Sequence, residues 1–242
     1  EYDPDKLQRF RRSVLQHAPA RVRAIRLPGQ TSSDRVSKRQ LGEIVHEALR
    51  WWRFPADDQD MSALLDSYAW KHGIIDAKDR DYAVMTARGW LRDFQHTMLY
   101  RNINQAQRVY RELPFVYRTE KRMIHGIIDV LFQTKEGIWT IADYKSSQVR
   151  GLMERNDDAA ERENRRLLKD HAKRYVLQVG VYAAAVEQYL LQLQEDVYPE
   201  LMQVFIHYLR HKETVRVTYK EWSDGLARLE SQIGKLIIED ER

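Results

Sequence analysis

The chain has 242 residues, enough for one large domain or two small ones with a sizeable hydrophobic core. It contains no cysteine, which excludes disulfides, thiolate-held zinc, iron–sulfur clusters and a cysteine nucleophile within these residues. The formal net charge of +4 is the small difference between 40 Lys/Arg and 36 Asp/Glu side chains, so the total indicates no partner by itself.

The basic side chains are unevenly distributed. Residues 1–50 carry 11 Lys/Arg against 6 Asp/Glu, and the stretch from Arg101 to Arg122 carries 6 against 2. Such stretches can follow a phosphate backbone and release its counterions. Solvated helix faces explain the same charges equally well.

The first half of the chain has helical periodicity. After a predicted loop at residues 30–34, apolar side chains recur at helical spacing over 41–54. Similar patterns cover residues 60–72 and 78–100. We therefore expect a mainly helical N-terminal part over residues 1–108.

The period changes at about Val109. Segments 109–118, 123–133 and 138–145 are rich in β-branched and aromatic residues, which predicts three strands. Residues 151–174 are densely charged, as in an exposed helix or a mobile segment, and 175–193 have a strong helical pattern. Two strands at 202–209 and 214–219 and a helix at 220–238 follow, with Thr218 and Glu221 as a capping box.

This order of elements predicts an α/β fold with a mixed central sheet flanked by helices. No Gly/Pro-rich linker or internal repeat divides the sequence. We therefore expect a single domain over 1–242, with the sheet core in 109–219 and a C-terminal helix in 220–242.

Two carboxylates and a lysine fall on neighbouring predicted strands. Asp143 and Lys145 are two residues apart, so they project from the same face of one strand. The preceding hairpin brings Asp129 to within about one register position of Asp143. Two such carboxylates repel unless a cation lies between them, and hard oxygen ligands select Mg²⁺ or Mn²⁺. Taken alone, the Asp-x-Lys pattern is far more often a salt bridge on a sheet surface.

Four short motifs in order carry a family resemblance. They are Gly42-x-x-x-His46, Gly126-Ile127-Ile128-Asp129, Asp143-Tyr144-Lys145 and Gln178-x-x-x-Tyr182. Together they resemble the PD-(D/E)XK nuclease superfamily, in particular the RecB/AddA-like exonuclease domain of UvrD-type helicases. The resemblance covers about residues 40–190. The proline of the family name is absent, since Ile128 precedes Asp129, and the lack of cysteine favours the branch without an iron–sulfur cluster.

The resemblance implies a role for each matched residue. Asp129 and Asp143 would bind the metal, with the backbone carbonyl of Tyr144 as a further ligand. Lys145 would position the attacking water and stabilise charge on the scissile phosphate. His46 would supply an imidazole ligand.

Three further residues complete the candidate set: Glu112, Gln178 and Tyr182. By the same resemblance, Gln178 and Tyr182 would shape the edge of the site and hold the DNA. Glu112 would support the metal from outside its ligands, although an exposed strand carboxylate is an equal alternative. A surface histidine at His46 and aromatic core packing of Tyr182 also remain open.

The resulting hypothesis is a Mg²⁺- or Mn²⁺-dependent deoxyribonuclease that acts exonucleolytically on single-stranded DNA in repair or recombination. No G-x-x-x-x-G-K-[ST] motif occurs, so a helicase motor would lie on the same longer polypeptide or on a partner. Because the sequence starts with Glu1, we expect the C-terminal part of a helicase–nuclease. No signal-peptide core and no apolar run of about 18 residues occurs, which favours a cytoplasmic location without membrane insertion.

Two other functions remain open at this stage. A catalytically inactive nuclease fold could bind or guide DNA, or dock a partner in a helicase complex; retention of His46, Asp129, Asp143 and Lys145 argues against it. An ordinary DNA-binding domain would leave the paired acids unexplained. An RNA substrate is also open.

Overall fold

The structure, a computed structural model, describes residues 36–119, 123–153 and 157–240, with side chains as far as residue 229. The basic residues before position 36, the predicted loop at 30–34 and the basic residues 121–122 lie outside the described residues. The elements below are numbered in chain order.

Four helices form the first part of the described chain: α1 (Lys38–Trp51), α2 (Asp58–Lys71), α3 (Ala77–Gln95) and α4 (Met98–Asn104). The first three begin at side chains that accept hydrogen bonds from the first turn, namely Ser37, Asp57 and Asp76. The prediction of one helix over 78–100 is wrong in detail. The helix ends at Gln95, and the hydroxyl of Thr97 accepts the N–H of Tyr100 at 3.2 Å to start α4.

Small side chains form much of the buried face of α3. Ala83, Ala87 and Leu91 are fully buried, whereas Tyr82 is 48% and Met85 61% exposed. Close helix packing explains why alanine occupies these buried positions, because α3 lies against both α1 and α2. Apolar periodicity therefore identified this helix, but its large side chains Tyr82 and Met85 do not lie on its buried face.

A five-stranded mixed sheet forms the second part of the chain, in the spatial order β1-β2-β3-β4-β5. Its strands are β1 (Arg108–Arg118), β2 (Met123–Gln133), β3 (Trp139–Lys145), β4 (Gln203–Tyr208) and β5 (Glu213–Val217). The pairs β1–β2, β2–β3 and β4–β5 are antiparallel. All five strands were predicted within two residues of these bounds.

Three further helices accompany the sheet: α5 (Asp158–Ala172), α6 (Val176–Gln192) and α7 (Tyr219–Asp240). A one-turn 3₁₀ helix over Lys173–Tyr175 leads directly from α5 into α6. The predicted capping box at α7 is confirmed: Thr218 N–H donates to Glu221 at 2.8 Å, and Glu221 N–H donates to the Thr218 hydroxyl at 3.3 Å. Helix α6 is buried over most of its surface and belongs to the same core cluster as the sheet.

The described chain divides into two compact units. The first contains the residues up to Arg101, with Lys145–Ser147 and Leu209–Lys212; the second contains Asn102–Tyr144, Gln148–Tyr208 and the residues from Glu213 onward. The α/β fold class is confirmed by the sheet and its flanking helices. Within the described residues, no helix combines the length and the apolar character needed to cross a membrane.

Candidate active site

Three carboxylates occupy one row across neighbouring strands of the second unit. Glu112 lies between the pairs Arg111–Val130 and Leu113–Ile128, so it faces Asp129 across β1 and β2. One register step beyond the last β2–β3 pair places Asp143 opposite Asp129. The sequence placed Asp129 and Asp143 about one position apart, and the register makes them direct neighbours.

Glu112 has an unusual backbone conformation for a strand residue. Its φ is +49°, in the left-handed region that residues with a Cβ rarely adopt. Strained backbone of this kind is concentrated at functional sites, where it redirects a side chain. A carboxylate oxygen of Glu112 lies within 4.8 Å of one from Asp129, both half-buried.

The backbone of β3 holds Asp129 in place. The N–H of Tyr144 donates a 2.7 Å hydrogen bond to Asp129 Oδ2. An amide that donates to a carboxylate fixes its orientation. Burial and then the charge of Asp129 raise the pKa of the Tyr144 phenol, while Arg111 acts in the opposite direction.

The side chain of Gln178 connects α6 to Asp143. Its Nε2 lies 3.3 Å from Asp143 Oδ1 and 2.5 Å from the hydroxyl of Tyr182, so both hydrogens of the amide are used. Asp143 is 2% exposed, and a buried carboxylate needs such donors. Burial and then the charge of Asp143 raise the pKa of Tyr182, so this phenol stays protonated at neutral pH.

Gly126 determines where Tyr182 packs. Its register partner is Phe115, and a Cβ at Gly126 would come within 2.5 Å of the Phe115 ring. That ring in turn makes an edge contact with Tyr182 at a centroid distance of 5.3 Å. The glycine of the second motif therefore has a packing role: it makes room for the ring that supports Tyr182.

Lys145 and His46 belong to the first unit. Lys145 is the last residue of β3 and is half-buried two residues after Asp143. His46 is half-buried on α1, one helical turn after Gly42. A Cβ at Gly42 would lie 2.8 Å from the hydroxyl of Ser146, so α1 passes close to the segment that follows Lys145. The first motif thus also has a glycine that permits a close approach.

The acidic row fits a divalent metal. Carboxylate oxygens are the hard donors that Mg²⁺ and Mn²⁺ prefer, and the side chains of Glu112 and Asp129 lie close enough to share one ion. The hydrogen bonds from Tyr144 and Gln178 hold Asp129 and Asp143 from outside the row, as the neighbours of metal ligands commonly do.

Sequence reasoning missed two residues beside this site. Tyr208 is fully buried on β4, and its hydroxyl lies 3.0 Å from Nδ1 of His171 on α5. Burial is the main cause of the raised pKa of Tyr208, and the charges of Tyr175 and Asp143 add to it. Nothing in the apolar pattern of β4 distinguishes this tyrosine from a core residue.

Comparisons with known proteins agree with these motifs. The sequence model of the PD-(D/E)XK nuclease superfamily matches residues 4–239. The chain is 32% identical over 110 residues to the ATP-dependent helicase/nuclease subunit of Lysinibacillus sphaericus, covering 43% of this chain and 8% of that protein. It is 37% identical over 95 residues to the protein of the same name from Bacillus licheniformis, covering 34% of this chain and 7% of that protein. The chain therefore spans less than a tenth of either relative.

A solved protein structure from Eubacterium rectale resembles the chain at a TM-score of 0.46 and 13% sequence identity, covering 86% of this chain and 85% of the other. This likeness is too distant to bear on the site. The relatedness to the two helicase/nuclease proteins confirms the resemblance to the RecB/AddA-like branch.

Proposed function

The chain belongs to the PD-(D/E)XK nuclease superfamily, and we propose on this premise that it is a metal-dependent nuclease domain that hydrolyses the phosphodiester bonds of DNA. The observation that carries the proposal is the row of Glu112, Asp129 and Asp143 across three neighbouring strands. A nuclease fold that had lost catalysis would have no need to keep three acidic side chains side by side.

The acidic row would hold Mg²⁺ or Mn²⁺. Asp129 is the central ligand, because it lies between the other two carboxylates. We assign Asp143 and the backbone carbonyl of Tyr144 to the same ion, and His46 as an imidazole ligand, as the family motifs imply. When bound, the metal supplies a Lewis acid for the phosphoryl oxygen and lowers the pKa of a coordinated water.

The chain's own side chains orient the reaction. Lys145 projects from the same face of β3 as Asp143, so its ammonium group is suited to orient the attacking water and to stabilise negative charge on the phosphate. Gln178 keeps one oxygen of Asp143 fixed through its amide. Tyr182, held by the same amide, forms the edge of the site against which the DNA strand lies.

We propose single-stranded DNA, cut exonucleolytically, as the substrate. The two curated relatives are named as helicase/nuclease subunits. A helicase delivers separated strands, so a nuclease domain joined to one would meet DNA in this form. A helicase motor, on the same longer polypeptide or on a partner, is thus the expected neighbour of this domain in DNA repair or recombination.

The second candidate function is DNA binding or guidance without cleavage. The exposed basic side chains favour it as much as they favour a nuclease, because phosphate contacts serve both. The two functions differ in what the acidic row does. A binding module needs no metal, and acidic groups beside the DNA would weaken its affinity.

The test is a cleavage assay on the purified chain with end-labelled single-stranded DNA, double-stranded DNA and RNA. Each substrate is incubated with Mg²⁺, Mn²⁺ or EDTA. Asp129→Asn and Lys145→Met are compared with the wild type, and Asp81→Asn, an exposed carboxylate on α3, is the matched control. We expect cleavage by the wild type and the control with metal only, and a loss of at least about 100-fold in both site variants. DNA binding without metal-dependent cleavage by the wild type would favour the guidance module instead.

A second experiment concerns His46. His46→Ala should raise the metal concentration needed for half-maximal cleavage by about tenfold or more, with little change in thermal stability. A fall in melting temperature without a change in metal dependence would assign His46 a structural role.

A further inference from the structure

Arg174 lies one helical turn before Gln178. It belongs to the 3₁₀ turn Lys173–Tyr175 that runs directly into α6, and its side chain is exposed. Residues four apart on a helical segment share a face, with their Cβ atoms about 5–6 Å apart. Since Gln178 contacts Asp143, this spacing puts Arg174 on the side of the helical segment that leads to Asp143.

Arg174 differs from two neighbouring bases that have acidic partners. Lys173 pairs with Asp170 at 2.8 Å, and Arg166 pairs with Glu163 at 2.6 Å. For Arg174, by contrast, no carboxylate of the described residues lies within salt-bridge distance. The N–H donors of its guanidinium group are therefore available for a ligand.

The charge of Arg174 acts on the groups that surround Asp143. Burial is the first cause of the lowered pKa of His171, and Arg174 is the second. The hydroxyl of Tyr208, which lies beside His171, is influenced by Asp143 and, in the opposite direction, by Arg174. The charges of the guanidinium and of Asp143 thus both act on one buried hydroxyl.

A DNA strand that approaches three carboxylates needs positive charge beside them. The metal would neutralise the carboxylates at the phosphate that is cut, but the neighbouring phosphates would still meet acidic side chains. A guanidinium group binds phosphate oxygens in a bidentate arrangement and keeps its charge at every physiological pH.

We propose that Arg174 binds a phosphodiester group adjacent to the scissile one and so holds the substrate strand over the acidic row. This inference rests on the proposed nuclease function and names a substrate-binding residue for the same site. The contact forms equally in the bound substrate and in the transition state, so it contributes to KM and leaves kcat unchanged.

The test compares Arg174→Gln, Arg174→Lys and the matched control Arg166→Gln, which removes an equal charge from an exposed, paired arginine on α5. Binding of fluorescein-labelled oligo-dT is measured by anisotropy with Ca²⁺ over a titration of NaCl, and KM and kcat are measured with Mg²⁺. We expect Arg174→Gln to raise Kd and KM about tenfold and to reduce the slope of log Kd against log salt by about 0.7, the value for one contact to a single strand. Arg174→Lys should recover most of the slope, and Arg166→Gln should leave it unchanged.

The inference is overturned if Arg174→Gln and Arg166→Gln have the same salt slope and the same KM while the wild type cuts DNA. The proposed function fails separately if the wild type cuts nothing with metal present. In that case, a salt slope that still depends on Arg174 would support the phosphate contact without the nuclease. Melting temperatures of the variants should show that each remains folded, because both substituted positions are exposed.

Discussion

Glu112 faces Asp129 across β1 and β2, and its backbone is in the left-handed region at φ +49° while its neighbours on both sides pair regularly. The strand therefore departs from extended geometry at the one residue of β1 that places a carboxylate beside Asp129. Such a conformation is costly for a residue with a Cβ, so it persists only where the surrounding structure enforces it. This relationship leads to the first two predictions.

Replacement of Glu112 by glycine should give a more stable protein than replacement by alanine. Within a regular strand the alanine variant would be the more stable one, because glycine loses more conformational entropy than alanine on folding. At φ +49° only the alanine variant keeps the strain, so we expect Glu112→Gly to be more stable by about 1 kcal/mol. Urea unfolding of the two variants measures the difference. A more stable alanine variant would show that the backbone at this position is extended in solution.

Glu112→Gln should weaken metal binding. The amide keeps the size of the side chain but offers a weaker, uncharged donor beside Asp129. We expect at least about a tenfold rise in the Mn²⁺ concentration that produces half of the thermal stabilisation. Differential scanning fluorimetry over a Mn²⁺ titration measures this, with Asp81→Asn as the control. Equal titration curves for Glu112→Gln and the wild type would remove Glu112 from the metal site.

Gln178→Leu should slow catalysis more than Tyr182→Phe. Leucine removes the donor to buried Asp143 and the donor to the Tyr182 hydroxyl together. Phenylalanine removes only the hydroxyl and leaves the contact between Gln178 and Asp143 in place. Without this donor Asp143 is no longer held in a fixed orientation, so kcat should fall about tenfold or more in Gln178→Leu. Single-turnover rates at saturating Mg²⁺ test the order, and equal rates for the two variants would contradict it.

Gly126→Ala should destabilise the second unit. The added methyl group would meet the Phe115 ring at 2.5 Å, and the ring cannot retreat without losing its contact with Tyr182. Overpacking of this kind costs about 1–3 kcal/mol of unfolding free energy. In the double variant Gly126→Ala/Phe115→Leu, leucine lacks the ring that meets the added methyl group. This variant should therefore recover part of the lost free energy of unfolding.

Gly89→Ala provides the control for that experiment. Apart from the adjoining turns of α3 itself, no heavy atom of the described residues lies within 4 Å of a Cβ built at this glycine, and alanine favours helix there by up to about 1 kcal/mol. Chemical denaturation should therefore show a lower free energy of unfolding for Gly126→Ala and a higher one for Gly89→Ala. A neutral Gly126→Ala variant would mean that Phe115 is not held against the strand.

Stability should fall between pH 6.5 and 4 because of His207. This side chain is fully buried, its Nδ1 lies 2.9 Å from the hydroxyl of Thr214, and burial lowers its pKa to about 4. The unfolded chain binds a proton at His207 near pH 6.5, but the folded chain does so only near pH 4. Acidification through this range therefore favours unfolding, by up to about 3 kcal/mol.

His207→Gln should remove this part of the pH dependence, whereas His125→Gln, which replaces an exposed histidine on β2, should retain it. Unfolding free energies at several pH values across the same range measure the slopes. Parallel pH profiles for His207→Gln and the wild type would assign the acid sensitivity to other groups.

Much of the fold was predictable from local patterns. The period of apolar residues identified the helices and strands, because each segment faces the core on one side. Capping residues such as Thr218 and Glu221 marked the start of α7, and their hydrogen bonds form as predicted. Alternation along β3 placed Asp143 and Lys145 on one face, since this depends only on covalent geometry. The apolar pattern of α3 did not distinguish buried Ala83 from exposed Tyr82, because close packing of helices selects small side chains.

The sequence by itself determined the order of the elements, the family and the residue types of the candidate site, because periodicity and short motifs are local properties. Only the tertiary structure decided which groups meet: Glu112 with Asp129, and Gln178 with Asp143. These contacts depend on strand register, on one left-handed residue and on the packing of α6 against β1. Such features arise from side chains that are far apart along the chain, so no window of the sequence contains them.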